Sequence, residues 1–481
     1  EVGFDLETTS PKKGKWFDAT AAEVVGFSVA RWPGVATYCP TVPSGAWLEV
    51  SAPAKICHNA KFEFMKLKQL GIVLNNFHDT KLAAKLLEKP STHLKALARQ
   101  ELNVDPITYE QVTQGRDMSE LRAEEIAPYA CADADNTLRL WPMLRKGLED
   151  AGLWGLYESI ELPLIPVLVD MELTGVGIDE AQVKNVLDEL GFRIGIIPSG
   201  AGIPEDVNLD SHEQLAMLLE KLGAPIKQRT SVKRLIKTDE EALESVRSWN
   251  PKLIGGLIEY KRLRKLQSYM NNFLELRGED GRLHPNWVQA GDFETTDETH
   301  ESPRTGRLSS SGPNMQNLPH KGSEDIAAYW GARVRSCVAA KPGWYLVSAD
   351  ISQEEPRITA LVVQDKQMLE DFAGGLPIYA PMGEANYGYP IGKATHPREW
   401  FVAKTFFLAA VYGAGPQKLH KIDPKLGMSG AKKGWTALHT RYPGLTNFVY
   451  KVSSELEATG FVTDYFGRRR HIPEIYSPHG K

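Results

Sequence analysis

The chain has 481 residues, of which 42% are hydrophobic and 24% charged, and its formal net charge at neutral pH is −5. This is globular composition with room for about three domains. No run of about 18 apolar residues occurs, which argues against a membrane-spanning helix, and no signal-peptide pattern opens the chain. The four cysteines are scattered and form no C-x-x-C pair. This arrangement indicates reduced thiols and predicts a cytoplasmic protein.

A basic segment stands out within this acidic chain. Residues 225–270 contain eleven lysines and arginines against five acids. A groove that follows a nucleic-acid backbone would have this composition. A solvated helix face would have it as well, and the sequence leaves both interpretations open.

The first part of the chain has the pattern of strands followed by helices. Alternating apolar and polar residues predict strands over residues 1–5, 23–31 and 35–39. A helix is predicted from Asn59 to Gly71. Another is predicted to begin at Pro128, whose missing N–H costs nothing in a first helical turn. This order predicts an α/β domain that ends near residue 150.

The remainder is predicted to be mostly helical. Helices dominate from residue 153 to about 285, interrupted by loops at 198–204 and 227–230, and residues 289–305 form an acidic, threonine-rich surface loop. A buried strand is predicted over residues 344–350. Helices follow from 353 to about 458, and residues 461–465 restart a strand.

Three short segments contain carboxylates in patterned positions. Asp5 and Glu7 stand at i and i+2 of a predicted strand and therefore share a face. Such paired oxygen ligands can hold Mg²⁺, although a solvent-facing strand also shows this pattern. Glu63 lies in the first turns of a predicted helix. Tyr129 and Asp133, at i and i+4, are stacked on one face of another helix.

Together these segments resemble the three exonuclease motifs of the DnaQ-like 3′→5′ proofreading domain, over residues 1 to about 150. The resemblance implies that Asp5, Glu7, Glu63 and Asp133 hold two metal ions, Mg²⁺ with Mn²⁺ as an alternative. The ions would activate a water and stabilise the leaving 3′ oxygen. Tyr129 would orient that water. The family pattern has Asp where this chain has Glu63, and the extra methylene predicts reduced activity.

A second acid, Asp350, ends the predicted strand 344–350. The residues after it also match an ordinary helix start, because Ser352 and Glu355 have the spacing of a capping box and Pro356 suits a first turn. The carboxyl end of a strand is, however, where α/β folds place chemistry. The residues alone leave both interpretations open.

The surrounding motifs decide between them. In chain order they are residues 161–164, 171–176, 208–222, 305–310, 313–319, 404–413 and 467–470. With this order and spacing they resemble family A DNA polymerases of the DNA polymerase I type. The resemblance covers almost the whole chain.

The resemblance implies roles in templated synthesis. Asp350 would bind two catalytic Mg²⁺ ions, assisted by the carbonyl of Ile351. Glu355 would be the steric gate that excludes a ribose 2′-OH. The implied nucleotide-binding residues are Ile351, Gln353, Glu355, Lys404, Leu408 and Tyr412, and Glu355, Lys404 and Tyr412 are also implied in catalysis. The implied DNA contacts are Arg307, Asn314, Gln316, Asn317 and Arg468, among which the Asn and Gln residues would also suit turns.

The helix around Lys404 follows from spacing. Trp400, Lys404, Leu408 and Tyr412 fall at i+4 steps and share one face, where an ammonium can hold a nucleotide's phosphates. The family pattern has an arginine at the position of Trp400. Arg398 lies two residues before Trp400, about 200° around the helix from it, so it cannot substitute for that arginine.

Other features depart from the family pattern. Leu408 stands where Phe or Tyr is usual, a variation associated with phage enzymes, and Tyr379 stands where many relatives have a phosphate-contacting histidine. The third polymerase motif, a His-Asp-Glu turn with the second catalytic aspartate, does not occur after Arg470. Both chain ends look like cuts. A fragment deficient in polymerisation is therefore expected, and its true termini and any 5′-nuclease domain are left open.

The predicted fold is an α/β exonuclease domain, RNase H-like and of DnaQ type, over residues 1–152. An α+β right-hand polymerase domain follows over 153–481, divided into thumb (153–285), part of the palm (286–362), fingers (363–455) and an incomplete returning palm (456–481). The predicted function is DNA-templated DNA synthesis with 3′→5′ proofreading, in replication or repair. The expected partners are primer–template DNA, dNTPs and single-stranded DNA. A monomer without a membrane partner is expected, and any processivity factor is left open.

Two other functions match part of the pattern. One is an exonuclease whose degenerate polymerase half serves as a nucleic-acid clamp, which Trp400 and the missing third motif favour and Glu63 opposes. The other is a single-subunit RNA polymerase, which Glu355 and the exonuclease motifs disfavour. Primer extension with deoxy- and ribonucleotides discriminates among the three.

Overall fold

The computed structural model describes residues 1–13, 16–231, 233–291, 305–319 and 326–476. The chain divides into two compact units. The first comprises Glu1–Lys85, Lys89–Lys146 and Ser159–Leu346, and the second comprises Leu86–Glu88, Gly147–Glu158 and Val347–Lys481. Most of the predicted loop 289–305 lies outside the described residues. The domain and subdomain boundaries given above stay predictions.

The first unit begins with a mixed five-stranded sheet. Its strands are β1 (Val2–Thr8), β4 (Val24–Trp32), β5 (Val35–Cys39), β6 (Lys55–Cys57) and β7 (Phe77–Asp79), while β2 (Lys12–Lys13) and β3 (Trp16–Phe17) pair separately. The order is β5-β4-β1-β6-β7, with β1 antiparallel to β4 and parallel to β6. The three strands predicted from alternation are confirmed, and β1 lies at the centre of the sheet.

Helices accompany this sheet. They are α1 (Gly45–Leu48), α2 (Ala60–Gln69), α3 (Thr80–Leu86), α4 (Leu94–Leu102), α5 (Tyr109–Thr113) and α6 (Ala123–Asp150), while the short α7 (Trp154–Leu156) belongs to the second unit. The helix predicted after Asn59 is confirmed. The predicted start at Pro128 is wrong, because α6 begins at Ala123 and contains Pro128. Ile126, upstream of the proline, packs in a buried cluster with Met118 and Ala130, so tertiary packing extends the helix beyond it.

The rest of the first unit is helical with short strand pairs. It contains a π-helical turn (Tyr157–Glu161), α8 (Leu162–Thr174), β8 (Val176–Gly177), α9 (Glu180–Ala201), α10 (His212–Lys221), α11 (Glu240–Glu244), α12 (Pro251–Glu275), β9 (Arg282–Leu283), β10 (Asn286–Val288), β11 (Ser309–Ser311) and α13 (Ile326–Arg335). The loop predicted from residue 198 is wrong at its start, because α9 continues through Pro198. Buried Ile197 and Ala201 hold that last turn against the core.

The basic segment 225–270 makes many ion pairs. The pairs are Arg229 with Glu220, Lys233 with Glu213, Arg247 with Glu244, Arg262 with Glu240 and Arg264 with Asp210. Since these partners neutralise much of the local positive charge, the structure favours an ion-paired, solvated surface over a nucleic-acid groove.

The second unit is built around one helical core. Its main helices are α14 (Glu354–Val363), α15 (Lys366–Ala373), α16 (Ala380–Tyr387), α17 (Pro397–Val411), α18 (Pro416–Ile422), α19 (Gly427–Arg441) and α20 (Pro443–Thr459), and β12 (Phe461–Thr463) pairs with β13 (Arg469–His471). Phe406, Phe407 and Tyr442 are among its buried residues. The predicted helical region and the strand after residue 461 are confirmed.

The predicted buried strand 344–350 is wrong. This segment has no regular structure, and Trp344, Tyr345 and Val347 are 74%, 91% and 91% exposed. A β-strand needs a neighbouring strand to bond its backbone groups, and no described segment pairs with residues 344–350. Apolar, β-branched sequence was therefore insufficient to predict a strand here.

Among the described helices, none is long and apolar enough by itself to cross a membrane. The bent pair of α6 with Trp154–Thr174 meets the length and composition criteria only when the two are taken together.

Candidate active sites

Strand β1 brings two acids close to helix α6. Asp5 and Glu7 alternate with buried Phe4 and Leu6 and therefore share a face of the strand. Gly3 makes the approach possible, because a Cβ at this position would lie 2.1 Å from the carbonyl oxygen of Ala134. Asp133, next to Ala134 on α6, thus lies close enough to Asp5 and Glu7 to interact with their charges.

A third element contributes Glu63. This residue is in the first turn of α2 and is 3% exposed. The helix begins at Asn59, whose φ of 75° is left-handed, and Asp79 at the end of β7 holds this start. The Asp79 carboxylate accepts hydrogen bonds from the backbone N–H groups of Asn59 (3.1 Å) and Ala60 (2.8 Å). The end of one strand therefore fixes the position of the helix that carries Glu63.

The four acids form one electrostatically interacting cluster. Burial, with the nearby charge of Asp133, raises the pKa of Asp5 to about 8. Burial and the charge of Asp5 raise the pKa values of Glu7 and Glu63 well above their usual range. Burial also raises the pKa of Asp133, against the opposing effect of Lys95. Buried carboxyls with raised pKa values that lie close together are typical of a site that holds additional positive charge.

Tyr129 and Lys95 complete this cluster. Tyr129 lies one helical turn before Asp133 on the same face of α6, as the i,i+4 spacing predicted, and it also hydrogen-bonds Asp133. The Lys95 ammonium, from α4, pairs with the Asp133 carboxylate and lies 4.1 Å from the centre of the Tyr129 ring. Lys95 therefore supplies a positive charge to the acids and packs against the phenol.

The donor groups suit divalent cations. Glu7 Oε1 and Glu63 Oε2 are buried and have no hydrogen-bond partner within the described part of the chain. Such oxygens are candidates for metal coordination. Asp133, however, is paired with Lys95. Among the described residues no group of three His, Cys, Asp or Glu side chains has the spacing of a metal site. The four-residue metal site stays a prediction, supported by donor type and charge.

A cleft of about 400 Å³ extends from the N-terminal end of α2. Asn59, Phe62 and Lys61 line it on one side, and Phe17 and Lys81 contribute further groups. The rings of Phe17 and Phe62 are 6.0 Å apart. The cleft thus combines aromatic faces with lysines, next to the helix of Glu63.

The second candidate site is only partly assembled. Asp350 and Ile351 are exposed on the irregular segment described above. Gln353 caps α14 in a left-handed conformation (φ 55°) without a side-chain capping bond, so the Ser352–Glu355 capping box is absent. Asp350 is therefore not at the end of a buried strand, and its predicted metal-binding role rests on the resemblance.

Helix α17 confirms the predicted register. Lys404 is exposed, Leu408 packs partly against the helical core, and Tyr412 ends the helix. The Tyr412 hydroxyl donates to Glu355 Oε1 at 3.3 Å, so two of the candidate nucleotide-binding residues meet. Burial and the charge of Glu355 raise the pKa of nearby Tyr379.

Two departures from the family pattern have structural explanations. Trp400 packs edge-on against Tyr379, with ring centres 5.7 Å apart, so aromatic contact replaces an arginine and a histidine at these positions. Arg398 donates to the buried carboxylate of Asp423 at 3.0 Å, and Tyr387 donates to the same carboxylate. As predicted, Arg398 does not take the place of the arginine that Trp400 replaces.

The candidate DNA contacts lie in turns. Asn314 caps a short 3₁₀ helix by accepting from the Gln316 N–H at 3.1 Å, and the Gln316 side chain donates to the carbonyl of Leu308. Arg307 and Asn317 are exposed. Arg468 lies in the β12–β13 turn and pairs with Asp464. The turn role of Asn314 and Gln316 is observed, and DNA contact by all five residues stays a prediction.

Asp79 and Lys95 are the functional candidates that sequence reasoning missed. Asp79 carried a weak signal, an acid that ends strand β7 directly before a helix that starts at Thr80. Lys95 carried none, because its distance from Asp133 depends on how α4 packs against α6.

Comparison with known proteins agrees with this architecture. Residues 196–481 match the family described as DNA polymerase family A, and residues 1–149 match the family described as 3′-5′ exonuclease. DNA polymerase I of Chloroflexus aurantiacus is 32% identical over 98% of this chain and 50% of its own length. DNA polymerase I of Pseudomonas aeruginosa is 30% identical over the whole of this chain and 53% of its own length. The chain thus spans about half the length of these relatives.

A solved structure shows the same fold. The POL domain of Pol1 from M. smegmatis, in complex with DNA primer-template and dNTP, matches with a TM-score of 0.79 at 24% identity. The match covers 99% of this chain and 79% of the other. The predicted order, an α/β exonuclease domain followed by a polymerase domain, is confirmed. With the family match over residues 196–481, these findings show that the chain belongs to DNA polymerase family A and contains a 3′-5′ exonuclease domain.

Proposed function

We propose that this chain serves DNA-templated DNA synthesis with 3′→5′ proofreading, and that its exonuclease site is the cluster of Asp5, Glu7, Glu63 and Asp133. The observation that carries the proposal is the convergence of four acids, whose pKa values burial raises, beside Tyr129. Bringing these like charges together costs folding free energy, and bound cations would offset that cost.

Each residue has a definable task in this mechanism. The four carboxylates would hold two Mg²⁺ ions, which supply an activated water and charge stabilisation at the leaving 3′ oxygen when bound. Glu7 Oε1 and Glu63 Oε2, which have no hydrogen-bond partner among the described residues, would be two of the coordinating oxygens. Tyr129, hydrogen-bonded to Asp133, would orient the attacking water. Lys95 would hold Asp133 and the phenol ring in place.

The cleft beside α2 is the proposed path for the single-stranded 3′ end. Bases stack on aromatic rings irrespective of sequence, and lysines track phosphates. Phe17 and Phe62 would supply the rings, and Lys81 a positive charge. A proofreading site needs this tolerance because any base can be misincorporated.

For synthesis, we propose that Glu355 and Tyr412 form one wall of the nucleotide site. Their hydrogen bond holds the carboxylate in place, so that it can fill the space of a ribose 2′-OH. Exposed Lys404 would bind the phosphates and Asp350 the catalytic Mg²⁺. A preference for dNTPs over ribonucleotides that disappears in Glu355→Ala would support this assignment.

The nuclease is tested with Asp5→Ala/Glu7→Ala. We expect the variant to lose Mg²⁺-dependent release of 3′ mononucleotides from single-stranded DNA while it still binds primer–template duplex. Equal digestion by the variant and the parent chain would remove the assignment. Release only from 5′ ends would do the same.

A second candidate function is an exonuclease whose polymerase half acts as a clamp. The exposed, irregular segment that carries Asp350 favours it, because a metal ligand needs a fixed position. Primer extension with Mg²⁺ and all four dNTPs, by a version of the protein that carries the third polymerase motif, separates the two. Robust templated extension supports the polymerase, and duplex binding without extension supports the clamp.

A further inference from the structure

Lys61 makes an unusual set of contacts two residues before Glu63. Its ammonium donates to Glu172 Oε1 (2.5 Å), to Asn286 Oδ1 (2.8 Å) and to the carbonyl of Trp287 (2.6 Å). Three acceptors satisfy all three protons of an ammonium. All three lie beyond residue 149, outside the segment that matches the exonuclease family.

Glu172 is built to receive this ammonium. Its side chain is 4% exposed, and its Oε1 also accepts the backbone N–H of Trp287 at 2.7 Å. Lys61, Glu172 and Trp287 therefore form a closed ring of hydrogen bonds. A buried, fully bonded ion pair specifies one geometry, since removal of either partner leaves an uncompensated charge.

The ring joins α2 to two other elements. Glu172 belongs to α8, and Trp287 to β10, where it pairs with Ser310 of β11. The Ser310 hydroxyl in turn lies 3.2 Å from Asn314 Oδ1, in the candidate DNA-contacting turn. The helix that carries Glu63 is thus tied through hydrogen bonds to the β10–β11 pair.

We propose that Lys61 and Glu172 are positioning residues of the exonuclease site: their buried pair fixes α2, and with it Glu63, on a platform formed by α8 and the β10–β11 pair. The exonuclease geometry is therefore completed by residues outside the exonuclease domain. This inference rests on the proposed function of the carboxylate cluster. Glu172 would therefore affect the rate of the exonuclease reaction without contacting the reacting groups.

The test measures single-stranded 3′ exonuclease kcat and KM in the full chain for Lys61→Met, Glu172→Gln and the double variant. A displacement of Glu63 by a fraction of an ångström is expected to lower kcat about ten-fold. KM should change less than kcat, since Lys61 and Glu172 line the cleft but its phenylalanine rings and Lys81 are unaltered. The double variant should be no slower than the slower single variant, because both changes break the same contact.

Lys68→Met is the matched control. Lys68 also lies on α2 and pairs with Asp170 of α8, but both side chains are about half exposed (45% and 57%). The same substitution between the same two helices should leave kcat unchanged. Circular dichroism at the assay temperature gives the folded fraction, so kcat is expressed per folded molecule. A merely structural role would lower the unfolding temperature without lowering that value.

The outcomes separate the two proposals. Parental kcat in folded Glu172→Gln and Lys61→Met would overturn the inference, and so would an equal loss in Lys68→Met. If Lys61→Met alone is unfolded, the double variant is used instead, because it leaves no unpaired charge buried. A parental kcat in the double variant would overturn the inference, and a ten-fold loss of kcat would support it. A parent chain whose digestion is insensitive to Asp5→Ala/Glu7→Ala would instead refute the proposed function itself.

Discussion

Gly3→Ala should impair the exonuclease site through a single methyl group. The added Cβ would lie 2.1 Å from the carbonyl oxygen of Ala134 and 3.1 Å from the Cβ of Leu138. A carbon–oxygen contact normally measures about 3.3 Å, so β1 and α6 must separate by about 1 Å. This separation moves Asp5 and Glu7 away from Asp133. We expect a loss of about 1–3 kcal/mol in the free energy of unfolding and a fall of about 10–100-fold in exonuclease kcat.

Both quantities can be measured on one preparation, the stability by urea unfolding and the rate by release of labelled 3′ nucleotides. Gly195→Ala is the control, because Gly195 lies within α9 and a Cβ there meets no atom within 4 Å. It should leave the rate unchanged and stabilise the helix by about 0.5–1 kcal/mol. Parental kcat and parental stability in Gly3→Ala would refute the close approach of β1 and α6 as the origin of the cluster.

Three further predictions follow from the described contacts. Lys95→Met removes the ammonium that lowers the pKa of Asp5, so the carboxyls stay protonated to higher pH. The acid limb of the exonuclease rate–pH profile should then move upward, and a downward shift would contradict this. Arg398→Met should cost about 1 kcal/mol in urea unfolding by removing one partner of the Asp423 carboxylate, which keeps the hydrogen bond from Tyr387. It should leave dNTP affinity unchanged, whereas weaker dNTP binding would indicate a phosphate-binding role. Glu63→Asp should match or raise the exonuclease rate, and a clear loss would show that the longer side chain is adapted to this site.

The local patterns were predictable from the sequence because covalent geometry dictates them. A strand puts i and i+2 on one face, which placed Asp5 beside Glu7 without knowledge of the fold. A helix stacks i and i+4, which placed Tyr129 against Asp133. The family was identified from the order and spacing of short motifs along the chain, which can be matched even where most of the other residues differ between relatives.

Contacts between segments distant in sequence were decided only by the tertiary structure. The segment 344–350 has strand-like residues, but a strand exists only when a second segment supplies its hydrogen bonds. Pro128 looked like a helix start, yet the packing of Ile126 extends α6 beyond it. The pairs Lys95–Asp133 and Lys61–Glu172 join residues 38 and 111 positions apart. Such pairs cannot be predicted from local sequence periodicity, because their geometry depends on how whole helices pack.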